Sequence, residues 1–324
     1  MSTTSLLRSA AQFRAVLLCG VLTACGGADG DAPAAPGPAE PPAPPVVVPD
    51  PKLPSSAYLL HTNKVEVCQF ASDGLLINCV DTQASGFTEA YGMTIAGSHL
   101  YLETFTAGDA DHRVTHCSIG ADGTTSGCSD TGQTGSFPVG LTVRGSTLYI
   151  GDAQSPLVRM CRVQADGSLD GCANAQFPGA LASDVDDIQI VDTTAYALHF
   201  DKNAVSKCTV QDDGSFASCE DAGATGLDGP LGFTISGSNM YIANRWSNST
   251  TRCIIASGGA LSDCRDAGAP GLIVPTHVAV RGSSVYITDE GTAGITRCTA
   301  GSDGLLTGCT SISEPKTLHK IVLR

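Results

Sequence analysis

Clustered positive charge, long apolar runs and catalytic signature motifs are what this sequence has least of. Its 324 residues carry 18 Lys and Arg against 32 Asp and Glu, a formal charge of -14, and the basic residues form no run. A polyanionic backbone is bound by clustered cations, so nucleic acid is excluded as a partner. No Gly-x-Ser-x-Gly nucleophile elbow, glycine-rich phosphate loop or His-Glu-x-x-His metal motif occurs. Tryptophan is present once, at Trp246. The apolar stretch Ala15 to Leu22 is too short to cross a bilayer.

Glycine is abundant, with 37 residues, and short Val, Ile, Thr and Tyr segments alternate with Gly, Asp and Ser, which points to an all-β fold. The N-terminus is a processing signal rather than structure: Arg8 and Arg14 precede the apolar stretch, which ends in Leu22-Thr23-Ala24-Cys25. That ending resembles the bacterial lipobox; the other reading is an ordinary secretory signal with a chance cysteine. The resemblance implies that residues 1–24 are removed and that Cys25 carries a lipid. By likeness to enterobacterial sorting, Gly26 then favours the outer membrane of a Gram-negative cell, with the lipid as the only membrane contact. Ten prolines between Asp31 and Pro54 favour extended polyproline II, so residues 25–56 read as a tether.

Twelve of the 14 cysteines act as rulers. Cys68 and Cys79, Cys117 and Cys128, Cys161 and Cys172, Cys208 and Cys219, Cys253 and Cys264, and Cys298 and Cys309 are each pairs of the form n and n+11, and the pairs recur every 44 to 49 residues. This is the period of four-stranded propeller blades. Midway in each pair lies Asp-Gly, replaced once by Gly258-Gly259, a dipeptide suited to tight hairpins. A two-residue turn there sets n opposite n+11, within disulfide reach, whereas a three-residue loop would offset the register by one. Zinc and cluster motifs place cysteines closer together and complete four ligands nearby, so six disulfides are expected and no cysteine metal site. Export to an oxidising compartment agrees.

Two further strands joined by a Gly-Ser turn precede each hairpin, with period-two alternation such as Leu141/Val143 and Phe233/Ile235, and Tyr58, Tyr101, Tyr149, Tyr196, Tyr241 and Tyr286 recur at one position of the second strand as packing residues. The first repeat starts at Ala57 without an innermost strand. Leu318 to Arg324 aligns with Pro275 to Arg281 and supplies it, giving a six-bladed β-propeller over residues 57–324, closed in blade one by the last strand of the sequence. The segments Leu-Tyr-Ile150, Tyr-Ile-Ala-Asn244 and Tyr-Ile-Thr-Asp289 make the repeats resemble YVTN and NHL-type propeller repeats, in a cysteine-paired lipoprotein variant. Proteins of this kind include lactonase-like enzymes, cofactor binders and interaction modules, so the resemblance implies fold and leaves function open.

The loops entering the innermost strands shape the mouth of a propeller's channel. Three entries carry little chemistry, whereas blade four offers Asp186 and Asp187, blade six His277, and blade one His319 and Lys320, with Glu89 slightly earlier in its own loop. Calcium-dependent lactonases, which are six-bladed, ring one cation with Asn, Asp and Glu from several entries; calcium takes six to eight oxygens, and too few stand here. No cofactor or metal is therefore expected, calcium being the one ion to test. His277 and His319, on adjacent blades, could approach each other with Lys320 beside them as a basic spot. Arg245 and Trp246, between the second and third strands of blade five, form a candidate surface contact. The expectation is a non-enzymatic binding or scaffold propeller for a protein, glycan or small molecule. The alternative is a lactonase-like or other hydrolase using the channel mouth.

Overall fold

The computed structural model describes residues 56–106, 112–176, 183–292, 294–313 and 317–324; the processing signal, Cys25 and the tether lie outside them. Alternating apolar positions and glycine turns fold these residues into six four-stranded antiparallel sheets, a six-bladed β-propeller without a helix among the described residues. In blades two to six, four consecutive strands pair in chain order. Blade one instead sets Leu318–Leu323 beside Ser56–His61, Lys64–Phe70 and Leu76–Asp81.

This closure is continuous at the hydrogen-bond level. Ala57 faces Leu323 and Leu59 faces Ile321, and Ser56 and Arg324 exchange backbone hydrogen bonds of 2.9 and 2.8 Å. The strand beginning at Ser56 starts one residue ahead of the repeat boundary read from the sequence.

The core lies between blades rather than within them, because a sheet buries its apolar face only against another layer. Six buried clusters each span two consecutive blades, such as Tyr58, Leu60 and Val65 of blade one with Met93, Leu100 and Leu102 of blade two. Each recurring tyrosine crosses such a junction. Its hydroxyl donates to the carbonyl of the hairpin glycine in the next blade, Tyr58 to Gly123, Tyr101 to Gly167, Tyr149 to Gly214, Tyr196 to Gly259, Tyr241 to Gly304 and Tyr286 back to Gly74, at 2.6 to 3.2 Å.

All six disulfides form, with Cα atoms 4.0 to 4.1 Å apart. The turn between the cysteines differs from the two-residue expectation. Ala71 N–H donates to Leu75 O and Gly74 N–H to Ala71 O, which encloses the three residues Ser72, Asp73 and Gly74, and every blade repeats this pattern. The register is accordingly offset by one, Gln69 facing Ile77, yet Val67 faces Val80, the register in which Cys68 meets Cys79. A bulge at the residue before the second cysteine restores it. That residue, Asn78, Gly127, Gly171, Ser218, Asp263 or Gly308, has φ between 47° and 61° in every blade, the left-handed region that a one-residue bulge needs.

Removing residues 318–324 takes the fully buried Leu318 and Ile321 from the core and opens one blade edge. At about 1.5–3 kcal/mol per buried aliphatic side chain, the melting temperature should fall by roughly 10 °C or more. An unchanged melting curve by circular dichroism would contradict closure by this strand.

Candidate ligand cup at the channel mouth

Strand direction alternates within each blade, so the loops entering the innermost strands and the turns between second and third strands meet on one face. There they enclose a cup of about 450 Å³, lined among others by Tyr91, Phe137, Asp186, Leu231, Arg245, His277, Glu290, His319 and Lys320.

The floor is a buried ion pair reaching across the ring. Lys320 of blade one donates to Asp187 Oδ1 of blade four at 3.0 Å. Asp187 Oδ2 accepts the Phe233 N–H of blade five at 3.2 Å and faces His277 Nε2 of blade six at 3.6 Å. Four inner strands are thus tied at one carboxylate, which is 2 % exposed. Close approach of the strands depends on glycine: a Cβ on Gly232 would lie 2.5 Å from Thr276 O and 2.7 Å from His277 Cδ2. Burial alone would push the Asp187 carboxyl up, but Lys320 and His277 outweigh it and hold it down to about 2. Burial, with the Lys320 charge, holds His277 below its ordinary value and so neutral. With Nε2 turned to the carboxylate, His277 Nδ1 is buried and has no hydrogen-bonding partner.

One wall is aromatic. The Tyr91 ring lies 5.6 Å from Phe137 and 4.7 Å from the His319 imidazole. Tyr91 is fixed from behind, its N–H donating to Glu103 Oε2 at 2.8 Å and its hydroxyl to Glu89 Oε2 at 2.9 Å. Burial and Glu89 push the Tyr91 hydroxyl up to about 12, so it remains a donor. Glu103 is fully buried and also pairs with His112.

At the rim, Glu290 takes His319 Nδ1 on one oxygen at 2.7 Å and Arg245 Nη2 on the other at 2.9 Å, while His319 Nε2 reaches Thr62 Oγ1 at 3.0 Å. Asp186 stands in the opposite wall, 9 % exposed, and accepts the Phe200 N–H at 2.8 Å. Burial, reinforced by Asp184, pushes its carboxyl up to about 8 despite that bond. Asp186 is therefore protonated near neutrality, and the Asp184 carboxylate beside it accepts its proton in a hydrogen bond.

The structure thus brings Asp187, His277 and Lys320 together and draws Arg245 into the cup. His277 and His319 do not form a joint basic spot, since each faces its own carboxylate. Glu89 acts through Tyr91, and Trp246 stands outside at the rim, 59 % exposed. Tyr91 as a wall, Glu103 and Glu290 were not singled out in the sequence. Glu103 had a signal: its position, two residues after the recurring tyrosine, otherwise holds Leu60, Gly151, Leu198, Ala243 or Thr288.

His199 Nε2 also lies 2.7 Å from Ser206 Oγ, a spacing that suits a base and a nucleophile. His199 is fully buried and donates from Nδ1 to Asp184 O. It occupies the last position of the second strand, where Asp152 and Asp289 likewise fasten the incoming loop by accepting the Phe137 and Ile273 N–H groups. Its place in the repeat is a loop anchor. Among the described residues no group of three or more His, Cys, Asp or Glu side chains is arranged to hold a metal ion.

No protein-family model matches the chain, and no curated protein does. Among solved structures it is similar to a chain of a nidogen/laminin complex, with a TM-score of 0.63 and 13% identity over 83% of this chain and 98% of that one. It is also similar to a putative 6-phosphogluconolactonase of Bacteroides fragilis, with a TM-score of 0.59 and 12% identity over 84% and 98%. The periplasmic gluconolactonase PpgL of Pseudomonas aeruginosa gives 0.59 and 12% over 83% and 98%. At such identities the likeness is one of fold.

The floor and Asp186 each generate a test. Lys320→Ala strands a buried carboxylate and should cost about 3–5 kcal/mol in urea unfolding, whereas Lys320→Met with Asp187→Leu should recover most of it. A double variant no better than the single one would show that the pair is not what the floor depends on. For Asp186, the folded state stays protonated to about pH 8, while the unfolded carboxyl ionises near pH 4, so native stability falls as pH rises across that window. Asp186→Asn should match the parent below about pH 4 and melt progressively higher than it towards pH 8. A parent that is the more stable at pH 8 would refute the protonated Asp186.

Proposed function

We propose that this propeller is a non-enzymatic binding module, held to the cell envelope through a lipid on Cys25 and the tether of residues 25–56, and that its ligand is a small neutral molecule received in the cup. The observation that carries this reading is that the cup's fixed charges are already spent on one another: Lys320 on Asp187 and Arg245 on Glu290. A cavity of about 450 Å³ with an aromatic wall and a few fixed polar groups is the form of a small-molecule site. What it turns towards a ligand is neutral: the Tyr91 and Phe137 rings and the Asp186 carboxyl in its acid form.

The donor set does not fit calcium. The Asp187 oxygens are taken by Lys320 and the Phe233 N–H, Asp186 disfavours ionisation, and the remaining entries bring Tyr91, Val139, Leu231 and Thr276 to the mouth. Hydrolysis by a side-chain nucleophile has one candidate among the described residues: Thr62 Oγ1 lies 3.0 Å from His319 Nε2, whose Nδ1 is held by Glu290, the order of hydroxyl, base and orienting carboxylate; it is the second reading, which the assay below tests. The two lactonases among the structures named above share 12% identity with this chain, which argues for the scaffold alone.

The two classes separate in one assay series. The purified protein, incubated with a panel of aliphatic and sugar lactones and aryl esters, with and without calcium, should give no turnover and no calcium-dependent rise in melting temperature. Turnover that disappears in both Asp186→Ala and His319→Ala would replace the binding reading with the hydrolase.

A further inference from the structure

Among the described residues Trp246 is the most exposed of the large apolar side chains, ahead of Ile273 in the neighbouring loop of the same face. Its exposure of 59 % is not looseness. A Cβ placed on Gly229 would fall 2.7 to 3.1 Å from Trp246 Cδ2, Cγ and Cε3, so the indole lies with one face flat on the glycine backbone and the other turned out. The Phe200 ring meets it edge-on, centroids 4.7 Å apart at 70°. The backbone beneath is fixed: Trp246 N–H donates to Asp228 O, Arg245 N–H to Gly229 O and Gly229 N–H to Asn203 Oδ1, at 3.2, 2.8 and 2.7 Å. Gly229 has φ +61 and is required on both counts. This is a rigid, pre-oriented aromatic platform, and rigid anchors bind at low entropic cost.

Its neighbour in the chain, Arg245, turns into the cup and is held by Glu290 at 2.9 Å, so the platform and the cup meet across an ion pair whose guanidinium keeps further N–H donors. A ligand spanning both must present an apolar face to the indole and hydroxyls to the Arg245–Glu290 pair and the polar groups of the cup, without net charge. A pyranose ring has that distribution, with C–H groups on one face and hydroxyls at its rim. A protein partner fits less well. The platform adjoins an enclosed cup rather than a broad flat surface, and the exposed apolar side chain of the neighbouring loop, Ile273, is packed on one side against Gly291.

We propose that Trp246 and the cup are two adjoining subsites for a neutral oligosaccharide, one sugar ring seated in the cup and the next stacked on the indole. The inference rests on the reading of the cup as a site for a neutral molecule, and goes beyond it in naming the ligand class and the second subsite.

Because Trp246 is the sole tryptophan, its fluorescence reports this platform alone. The protein is titrated with maltotriose, cellotriose, mannotriose and chitotriose and with the matching monosaccharides, by calorimetry and by tryptophan emission. At least one trisaccharide should bind about tenfold or more tighter than its monosaccharide and shift the emission. Trp246→Ala should reduce that trisaccharide to monosaccharide affinity, Trp246→Phe should retain part of the gain, and His277→Leu should weaken mono- and trisaccharide alike. Equal affinities for both lengths, unchanged in Trp246→Ala, would overturn the platform and leave the cup standing. No saccharide binding, with neutral non-sugar compounds binding in a cup-dependent way, would overturn the sugar assignment alone. No saccharide binding together with lactone or ester turnover would sink both this inference and the binding reading beneath it.

Discussion

A buried tyrosine hydroxyl must find an acceptor, and in this ring it finds one only in the next blade. Leaving such a group unpaired costs about 1–3 kcal/mol, so six hydroxyls aimed at six hairpin glycines make each blade's packing conditional on its neighbour. The acceptor carbonyls are set by glycines with φ of 77° to 86°, and a side chain at Gly74 would also press on Ser284, Arg297 and Tyr286. The Asp-Gly of each repeat is therefore two requirements in one place, a three-residue loop and a docking point for the preceding blade. Cations reinforce the same junction in the later blades, Lys207 reaching Gly258 O at 2.8 Å and Arg297 reaching Asp73 O.

Ring closure follows from this conditionality. Since Tyr286 returns to Gly74, blade one must be complete for blade six to be satisfied, and it is complete only when Leu318–Leu323 adds its inner strand. The same strand carries Lys320 to the centre, where it meets Asp187 from the far side. Buried ion pairs gain little over apolar packing and are costly to break, so this one acts less as glue than as a constraint. It fixes which residue of blade one lies level with which residue of blade four, and it seals the floor of the cup.

Much of this scaffold was legible in the sequence because it is periodic. Cysteines, Asp-Gly dipeptides and tyrosines at one spacing define blades, and the alignment of Leu318–Arg324 with Pro275–Arg281 defines the closing strand. The turn was misjudged because Asp-Gly suits two-residue and three-residue loops alike; the cue to the compensating bulge was the run Asn78, Gly127, Gly171, Ser218, Asp263 and Gly308, residues tolerant of positive φ. At the site, the inner-strand entries pointed to Asp186, Asp187, His277, His319 and Lys320 at the channel mouth and set His277 beside His319 and Lys320, but spacing cannot say which cation meets which carboxylate, and here Lys320 and His277 meet Asp187 while His319 meets Glu290. Glu290 and Glu103 were missed because they arrive from the second strands and the turns after them, outside the entries compared.

The two faces of the propeller divide the labour accordingly. Strand alternation puts every Gly-Ser turn and every Asp-Gly hairpin on the face away from the cup, and there the blades are nearly interchangeable. Side chains that break the repeat, Tyr91, Glu103, Arg245, Trp246, Glu290 and Lys320, gather at the mouth or directly behind it. A rigid lower face held by disulfides and tyrosine bonds can carry buried charge and an exposed indole above it without losing the fold, because the junctions that decide stability do not pass through the cup wall. Pairing those charges internally also decides what the cup selects. A lone Lys320 or Glu290 in so enclosed a place would attract a counter-ion, whereas the paired groups leave recognition to aromatic faces and a few fixed polar groups, and these discriminate by shape and hydroxyl pattern rather than by charge.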